Sequence, residues 1–414
     1  MAAQNGMRRV VVTGAGAVTA LGNDWQTISG KLRDGVTAID RMPEWSDIEG
    51  LRTQLAAPVR DFCKPAHYSR KQVRSMGRVA LMSTRATECA LEQAGLLEDP
   101  EIRSGAMGIA YGSCSGSSDA VAKFAGLLID RNTRNITATT YVEMMSHTCA
   151  VNTGLFFGLK GRVIPTASAC TSGSQGVGYA YEAIKYGHQL MMVAGGAEEL
   201  CPSQVTVFDT LFATSQKNDT PALTPQPFDR DRDGLVIGEG ACSLVLEELE
   251  HAKARGANIY AEIVGFSTNA DGSHITSPSA ETMEVVMRQA LNIAGLEPSA
   301  IGYVNAHGTA TDQGDIAETT ATQAVFGAGM PISSLKSYYG HTLGACGALE
   351  AWLTIEMMNA GWYAGTVNLN NVDERCGDLD YLRTEGRQMQ NDYVMSNNFA
   401  FGGINTSLIF RRWK

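Results

Sequence analysis

The sequence of 414 residues has no long apolar segment, no closely paired cysteines and no excess of basic residues. A run of roughly 18 or more apolar residues is needed to span a bilayer, and its absence predicts a protein without a membrane span. The formal net charge of -10 argues against a general nucleic-acid-binding surface. The nine cysteines never form a Cys-x-x-Cys spacing, so we expect reduced thiols, no zinc ribbon and a cytoplasmic location.

Two familiar catalytic signatures are incomplete in this chain. Gly14-Ala15-Gly16 follows an apolar segment, as in a nicotinamide-dinucleotide site, but Thr19 occupies the position of the third glycine. A lipase-like hydrolase would carry serine at the centre of a Gly-x-Ser-x-Gly pentapeptide, whereas Gly112–Gly116 has Cys114 there. An oxidoreductase of this type and a serine hydrolase are therefore both disfavoured.

Short apolar segments alternate with helical patterns along the chain. Val10–Val12 reads as a buried strand that is expected to end in a turn at Gly14. The spacing of Val177, Tyr181 and Ile184 predicts one face of a helix. Strands and helices that alternate in this way predict an α/β fold.

The alternation of strands and helices starts again after Arg255-Gly256, with a strand predicted at Ile259–Val264. The chain is also longer than the size at which a single hydrophobic core usually stops growing. We therefore predict two halves that pack tightly, residues 1–255 and residues 256–414. No repeated sequence is visible, so the predicted division depends only on the alternation of strands and helices.

Cys170 lies in a segment of small residues, Thr166–Gly173, which ends a predicted strand and opens the predicted helix of Val177. Free backbone N–H groups and the dipole at a helix N-terminus favour a thiolate over a thiol. The thiolate is the nucleophilic form, and the small neighbours give a substrate room to approach. Most cysteines are only small buried residues, so this setting distinguishes Cys170 as a candidate nucleophile.

Two histidines of the second half lie in glycine turns. His307 follows the apolar segment Tyr303-Val304 and precedes two threonine hydroxyls. His341 stands five residues after Lys336 and opens a predicted helix. A histidine beside a glycine has little weight alone, and a structural role for either ring stays open at this point.

Together these segments resemble the elongating β-ketoacyl-acyl-carrier-protein synthases, the KAS I and KAS II type of the thiolase superfamily. The resemblance runs nearly end to end and depends on ordered motifs: Val11–Gly22, Thr166–Gly173, Ala194–Glu198, Pro227–Gly240, Asn305–Thr311, Lys336–Gly347 and Ser396–Asn405. It implies a thiolase-like five-layered αβαβα fold of two similar halves. The nucleophile would belong to the first half and both catalytic histidines to the second.

The resemblance also implies an activity. A synthase of this type accepts an acyl group on Cys170 and extends it by two carbons through decarboxylative Claisen condensation with a malonyl group. Both substrates arrive on the phosphopantetheine arm of an acyl carrier protein, and neither a metal nor a bound cofactor is expected. Since such enzymes are normally dimeric, the expected partner is a second copy or a related synthase-like subunit.

The motifs also imply which residues of this chain form the site. The implied catalytic residues are Cys170, His307, His341, Lys336 and Glu350, and the implied oxyanion hole consists of the backbone N–H groups of Cys170 and Phe401. The residues implied to line the substrate and phosphopantetheine site are Thr276, Thr309, Thr311, Phe401 and Ser115. In this assignment Lys336 and Glu350 hold the histidines and the charge balance in place.

Several positions depart from the usual pattern of these synthases. Ser115 stands where an apolar or small pocket residue is usual, and Asp312 replaces a proline. Tyr338-Tyr339 replace a smaller pair, while Ala400 and Ile404 replace glycine and threonine. None of these changes removes a catalytic group. We interpret them as favouring a specialised synthase, similar to the ketosynthases of aryl-polyene pigments, with ordinary fatty-acid elongation as the open alternative.

Three neighbouring classes of the same superfamily are further alternatives. A noncatalytic partner subunit of the chain-length-factor type lacks the nucleophile, and Cys170 argues against it. Initiating synthases use Cys-His-Asn, whereas this chain supplies a second histidine in Lys336–His341. Degradative thiolases need a second catalytic cysteine, and Cys376 lies outside the Ser396–Asn405 motif.

Overall fold

The computed structural model describes residues 6–414, in which strands and helices alternate from end to end. The strands are β1 (Val10–Thr19), β2 (Asp40–Arg41), β3 (Leu55–Ala57), β4 (Met107–Gly112), β5 (Val163–Thr166), β6 (Met191–Glu198), β7 (Ile237–Gly238), β8 (Gly240–Glu248), β9 (Ala261–Ala270), β10 (Ile301–Asn305), β11 (Pro331–Ser333), β12 (Trp362–Tyr363), β13 (Asp380–Tyr381), β14 (Arg387–Gln388), β15 (Tyr393–Ala400) and β16 (Ile404–Arg412). The α-helices are α1 (Trp25–Arg33), α2 (Arg78–Gln93), α3 (Ser118–Asp130), α4 (Ala138–Met144), α5 (Thr148–Phe157), α6 (Ser172–Lys185), α7 (Pro202–Thr210), α8 (Leu249–Ala254), α9 (Ala280–Ala294), α10 (Asp312–Phe326), α11 (Lys336–Tyr339) and α12 (Cys346–Ala360). Among these residues, no helix combines the length and the apolar composition that crossing a membrane requires. The predicted α/β class is confirmed.

One sheet of eleven strands runs through the molecule in the order β13-β11-β10-β15-β16-β9-β1-β8-β6-β4-β5. From its middle outward, the first half contributes β1, β8, β6, β4 and β5, and the second half contributes β9, β16, β15, β10 and β11. The strand directions repeat as well: the outer three strands of each set are parallel and the inner two are antiparallel to their neighbours. Two similar halves are therefore joined where β1 pairs with β9.

Helices form three layers around the two halves of the sheet. On the outer face of the first half, α2 packs on β1 and β8, and α5 packs on β4. On the outer face of the second half, α9 packs on β9 and β16, with α10 beside it. Between the halves, α6 lies on β4 and β6, while α12 contacts α6, β6 and β15. The result is the expected five-layered αβαβα arrangement, whose central layer buries Val177, Ile184, Leu349 and Leu353.

The two central helices touch at their N-terminal ends because the contact position is a glycine. A Cβ added to Gly173 would lie 2.9 Å from the backbone nitrogen of Ala348 and 2.9 Å from the carbonyl oxygen of Gly344. Side-chain carbons do not tolerate such distances to backbone atoms, so the contact requires glycine. It brings the start of α6, from the first half, against the start of α12, from the second.

The first strand is longer than the sequence predicted. A turn was expected at Gly14, but β1 continues to Thr19, and a bulge between Val12 and Gly14 absorbs the extra residue. A Cβ added to Gly16 would lie 2.2 Å from the carbonyl oxygen of Ala86 in α2. Gly14 and Gly16, which resemble part of a dinucleotide-binding motif, therefore allow helix α2 to lie close to β1. The predicted helix of Val177 is confirmed as α6.

We expect Gly173→Ala to lower the free energy of unfolding by about 1–3 kcal/mol, because the added methyl group meets backbone atoms of the second half. Urea denaturation measures the change. Gly30→Ala is the matched control, since nothing lies within 4 Å of a Cβ at this position in α1. It should gain up to about 1 kcal/mol from helix propensity. Unchanged stability of Gly173→Ala would contradict the tight helix contact.

Candidate active site

Cys170 lies in a tight turn between β5 and α6. The turn is the 3-10 segment Ala169–Thr171, in which Ala169 has a left-handed φ of 49°. Ser172 closes the turn: its hydroxyl donates to the Ala169 carbonyl at 2.7 Å and accepts from the Ser168 N–H at 2.9 Å. The cysteine is only 3% exposed. The nucleophile thus lies at the start of the helix, as the sequence predicted.

His341 lies directly beside the sulfur. Its Nε2 is 2.9 Å from Cys170 Sγ, and its Nδ1 accepts from the backbone N–H of Leu343 at 3.3 Å. A neutral imidazole has one N–H, so a ring that accepts at Nδ1 carries its proton on Nε2. The backbone N–H of His341 donates to the Val236 carbonyl at 2.7 Å, which fixes the start of the loop. His341 therefore donates a hydrogen bond to the nucleophile.

His307 approaches His341 edge to face, with 5.1 Å between the ring centroids and 89° between the ring planes. The Lys336 ammonium donates to His307 Nδ1 at 3.2 Å, so this ring also carries its proton on Nε2. Glu318 fixes the backbone by accepting the N–H groups of His307 and Gly308, each at 2.7 Å. One nitrogen of each ring and the nucleophilic sulfur lie within 4.8 Å of one another.

A buried ion pair lies behind the two rings. Lys336 and Glu350 form a salt bridge with side chains that are 1% and 0% exposed. The amide of Asn398 donates to the other Glu350 oxygen at 2.6 Å. Burial disfavours the ammonium, but the charge and hydrogen bond of Glu350, together with nearby Cys346 and Glu318, outweigh this effect and raise the pKa of Lys336. Lys336 is therefore a permanent cation against His307.

Both imidazoles are neutral in the resting site. Burial lowers the pKa of His307 and of His341 well below the usual value, and the positive charge of Lys336 lowers both further. Neutral rings with their protons on Nε2 provide two N–H donors beside the sulfur. Donors that are fixed before the reaction stabilise an oxygen on which negative charge develops.

The nucleophile itself is a thiol at rest. Burial raises the pKa of Cys170 to about 11, although the backbone N–H of Phe401 and the charge of Lys336 act to lower it. The expectation that the helix start keeps this sulfur ionised is therefore wrong for the resting site, because the loss of surrounding water outweighs the favourable groups. The thiol must lose its proton as it reacts.

Cys170, His307 and His341 also lie within the distances of a three-ligand metal site. In metal centres, the second nitrogen of a ligating histidine usually donates its proton to a neighbour. Here both Nδ1 atoms accept, from Lys336 and from Leu343. A metal on Nε2 would displace the one proton that each neutral ring carries. The hydrogen-bond pattern therefore fits donation to a substrate oxygen better than metal ligation.

A cavity of about 510 Å³ connects the nucleophile with the surface. The predicted site residues in its wall are Cys170, His307, His341, Thr276, Thr309, Thr311 and Phe401. Lys336 and Glu350 lie behind the rings and complete the cluster. Ser115 does not border this cavity, and its hydroxyl accepts from the amide of Gln204 at 3.3 Å.

Three residues without a predicted role make polar contacts in the site. Glu318 fixes the His307 turn, and Asn398 contacts His307 Nδ1 at 3.4 Å as well as Glu350. The thiol of Cys346 donates to the Cys170 carbonyl at 3.2 Å. Asn398 lies in the Ser396–Asn405 motif and Cys346 in the Lys336–Gly347 motif, so the sequence held a signal for both residues. Glu318 reaches back from helix α10 and had no such signal.

Two family profiles match the chain. "Beta-ketoacyl synthase, N-terminal domain" matches residues 7–252, and "Beta-ketoacyl synthase, C-terminal domain" matches residues 260–370. The chain belongs to the β-ketoacyl synthase family. The resemblance inferred from the motifs and the thiolase-like fold are thereby confirmed.

Known β-ketoacyl synthases match nearly the whole chain. The 3-oxoacyl-[acyl-carrier-protein] synthase 2 of Vibrio cholerae is 38% identical over 98% of this chain and 99% of its own length. The crystal structure of a β-ketoacyl synthase from Burkholderia phymatum is 60% identical, with a TM-score of 0.98 over 99% of this chain and 100% of that chain. The ishigamide ketosynthase/chain length factor is 29% identical, with a TM-score of 0.90 over 99% and 100% of the two chains.

We expect alkylation of Cys170 by iodoacetamide to accelerate about tenfold per pH unit above about pH 7 and to level near pH 11, because the thiolate is the reacting form. Peptide mass spectrometry measures the rate. The exposed Cys63 of the same protein reports the activity of the reagent, and Cys170→Ala identifies the labelled peptide. A rate for Cys170 that is already constant at neutral pH would contradict the raised pKa.

Proposed function

We propose that this β-ketoacyl synthase acts as a 3-oxoacyl-[acyl-carrier-protein] synthase, an acyltransferase that extends an acyl chain by two carbons. The observation that carries the proposal is the convergence of Cys170 Sγ with the Nε2 of His341, at 2.9 Å, and with the neutral ring of His307. A nucleophile beside two N–H donors suits acyl transfer followed by stabilisation of an enolate.

The first half-reaction moves the acyl group from the phosphopantetheine thioester to Cys170. The sulfur attacks the carbonyl carbon, and the carbonyl oxygen becomes an oxyanion that accepts from the backbone N–H groups of Cys170 and Phe401. The carbon–sulfur bond to the arm then breaks, and the proton of the Cys170 thiol passes to the departing sulfur. Because one thiol enters and another leaves, the buried site gains no net charge.

The second half-reaction forms the new carbon–carbon bond. The malonyl carboxylate leaves as carbon dioxide, and its bonding electrons form an enolate whose oxygen accepts from Nε2–H of His307 and of His341. The enolate carbon attacks the thioester carbonyl on Cys170. The bond to the sulfur breaks, and the sulfur takes up a proton from water. A single oxyanion donor of this kind typically contributes about 10²–10³ in rate.

We propose that three threonines hold the phosphopantetheine arm. Thr276, Thr309 and Thr311 line the cavity that connects Cys170 with the surface. The hydroxyls of Thr309 and Thr311 are 2.9 Å apart, and Thr276 is exposed farther out. The amides of the arm need polar partners once they leave water. Hydroxyls spaced along the path supply both donors and acceptors.

We propose the division into residues 1–255 and 256–414 as the boundary of the two halves. Helix α8 ends at Ala254, and β9 begins at Ala261, so the chain between them belongs to neither strand set. The first half would then supply Cys170, and the second both histidines.

We propose that the enzyme works in the cytoplasm as a dimer that takes both substrates from an acyl carrier protein and holds no cofactor of its own. In the described chain, Leu128 and Ile129 of α3 are 69% and 78% exposed, and β5 is an edge strand. Exposed apolar side chains and an open strand edge suit a subunit contact. The nine cysteines are all free thiols, which suits a reducing compartment.

Two acyl classes are candidates: ordinary fatty-acid chains and the stiff unsaturated chains of aryl-polyene pigments. Ser115 favours a specialised chain, because its hydroxyl, which accepts from the amide of Gln204, stands where the family usually has an apolar or small residue. A noncatalytic chain-length-factor role is disfavoured, since Cys170 and its two donors are all in place.

We expect Cys170→Ala to abolish acyl transfer from an acyl carrier protein while the protein stays folded. His307→Ala and His341→Ala should retain self-acylation better than condensation, with condensation reduced by about 10²–10³. Intact-mass spectrometry and product analysis measure the two steps separately, and circular dichroism controls for folding. An acyl adduct on a residue other than Cys170, or undiminished condensation in both histidine variants, would contradict the assigned roles.

A second experiment tests the acyl class. Carrier proteins loaded with saturated, polyunsaturated and aryl chains are offered to the wild-type enzyme, and loading of Cys170 is followed by intact mass. A specialised synthase should prefer the unsaturated or aryl chains by about tenfold, which corresponds to about 1.4 kcal/mol. Cys170→Ala gives the background. A preference for saturated chains would instead indicate ordinary fatty-acid elongation.

A further inference from the structure

The side chain of Gln204, on helix α7, is buried with only half of its amide paired. It is 8% exposed, and its amide nitrogen donates to the Ser115 hydroxyl and to the Glu198 carboxylate, each at 3.3 Å. Within residues 6–414, its Oε1 has no hydrogen-bond partner. A buried acceptor without a partner costs about 1–3 kcal/mol. An unpaired group of this kind is a candidate contact for a ligand.

The neighbours of Gln204 fix the direction in which its amide points. The Glu198 carboxylate accepts from the backbone N–H of Cys114 at 2.7 Å and from that of Gly344 at 3.2 Å, so it acts here as an acceptor. Turning the amide over would place the Gln204 oxygen against a carboxylate oxygen, with no proton between them. The nitrogen therefore faces Glu198, and the unpaired oxygen faces away from it.

Ser115 leaves the complementary half of a hydrogen bond. Its hydroxyl oxygen accepts from Gln204, but its proton has no acceptor in the part of the chain that the structure describes. The side chain is half-buried, so a ligand atom can reach it. A free acceptor on Gln204 beside a free donor on Ser115 matches a hydroxyl group, which donates and accepts at the same time. A purely apolar chain would leave both groups unpaired.

These two side chains lie close behind the wall of the substrate cavity. Phe208 borders the cavity and follows Gln204 by four residues, so the two share one face of α7. The Phe208 ring meets the Phe401 ring edge to face, with 6.0 Å between the centroids. Next to Ser115 in the chain, Cys114 Sγ is 4.0 Å from a hydroxyl of the nucleophile turn. The pair is therefore near the nucleophile but separated from the cavity by side chains.

During condensation the acyl chain has to leave the cavity. Once Cys170 is loaded, the malonyl group arrives on a second phosphopantetheine arm through the same opening. The cavity of about 510 Å³ then holds this arm, so the acyl chain needs another space beside Cys170. Movement of the Phe208 and Phe401 rings would open a path from the sulfur toward Gln204 and Ser115.

We propose that Gln204 and Ser115 bind a hydroxyl group on the acyl chain and thereby select chains that carry one. The inference rests on the proposed function, because it concerns the acyl group held on Cys170. The hydroxyl donates to Gln204 Oε1 and accepts from the Ser115 hydroxyl, so every group is paired. A site of this kind rejects a chain without the hydroxyl, because its own polar groups then stay unpaired. Alkyl and phenolic hydroxyls share this chemistry.

The test compares acyl groups that differ only in one hydroxyl. Carrier proteins are loaded with hexanoyl, octanoyl and decanoyl chains, each with and without a terminal hydroxyl, and with cinnamoyl and 4-hydroxycinnamoyl groups. Intact-mass spectrometry follows the loading of Cys170. We expect at least one hydroxylated chain to load about tenfold faster in kcat/KM than its plain partner. A preference confined to the alkyl chains or to the aryl pair identifies the class of hydroxyl.

Two variants show whether the amide causes the preference. Gln204→Met removes the amide at nearly constant volume, so it should reduce the preference to less than about twofold. Gln175→Met is the matched control: Gln175 is also 8% exposed, its amide nitrogen donates to the Thr268 hydroxyl at 3.2 Å, and it does not border the cavity. It should keep the preference of wild type. Since each ratio compares two chains on one variant, a change in the folded fraction cancels from it.

Equal loading of both members of every pair by wild type would overturn the hydroxyl site. A preference that survives in Gln204→Met would overturn it as well, and so would an equal loss of preference in Gln175→Met. A wild-type enzyme that loads Cys170 from none of these carrier proteins would instead refute the proposed function, and the hydroxyl site with it.

Discussion

The first turns of α6 and α12 touch at Gly173, where a side chain of any other residue would meet the backbone of the opposite helix at 2.9 Å. This contact brings Cys170, from the first half of the chain, against His341, from the second. Cys346, the first residue of α12, then reaches the Cys170 carbonyl. Since the proposed chemistry needs groups from both halves, it depends on this backbone contact more than on any local motif.

The charges of the site are arranged so that the reacting groups start neutral. Removing the Lys336–Glu350 pair from water is costly, and such pairs seldom stabilise a fold on balance. Its value here is that a permanent cation at His307 Nδ1 holds the ring proton on Nε2. The thiol and both imidazoles are uncharged at rest, so the negative charge on the thioester oxygens develops only as the reaction proceeds. The fixed N–H donors therefore interact more strongly with the transition states than with the ground state, which is the condition for catalysis.

Much of this site could be predicted because its residues lie in short, ordered motifs. Cys170, His307, His341 and Lys336 were all predicted, and they lie together in the structure. Glu318 could not be found, because its contact with the His307 turn depends on how α10 folds back beside the end of β10. The protonation state of Cys170 was predicted wrongly, since a local pattern gives the helix start but not the depth of burial. In the same way, Gly14 suggested a turn, while the pairing of β1 with β8 extended the strand through a bulge.

Three of the seven non-glycine residues with a left-handed φ in the described residues 6–414 lie beside the same chemistry. Left-handed conformations of non-glycine residues occur at Ala169, next to the nucleophile, at Ala310, between the two cavity threonines, and at Leu343, whose N–H orients His341. Each turns the backbone sharply where a catalytic or binding group must face the cavity, and the surrounding core holds it there.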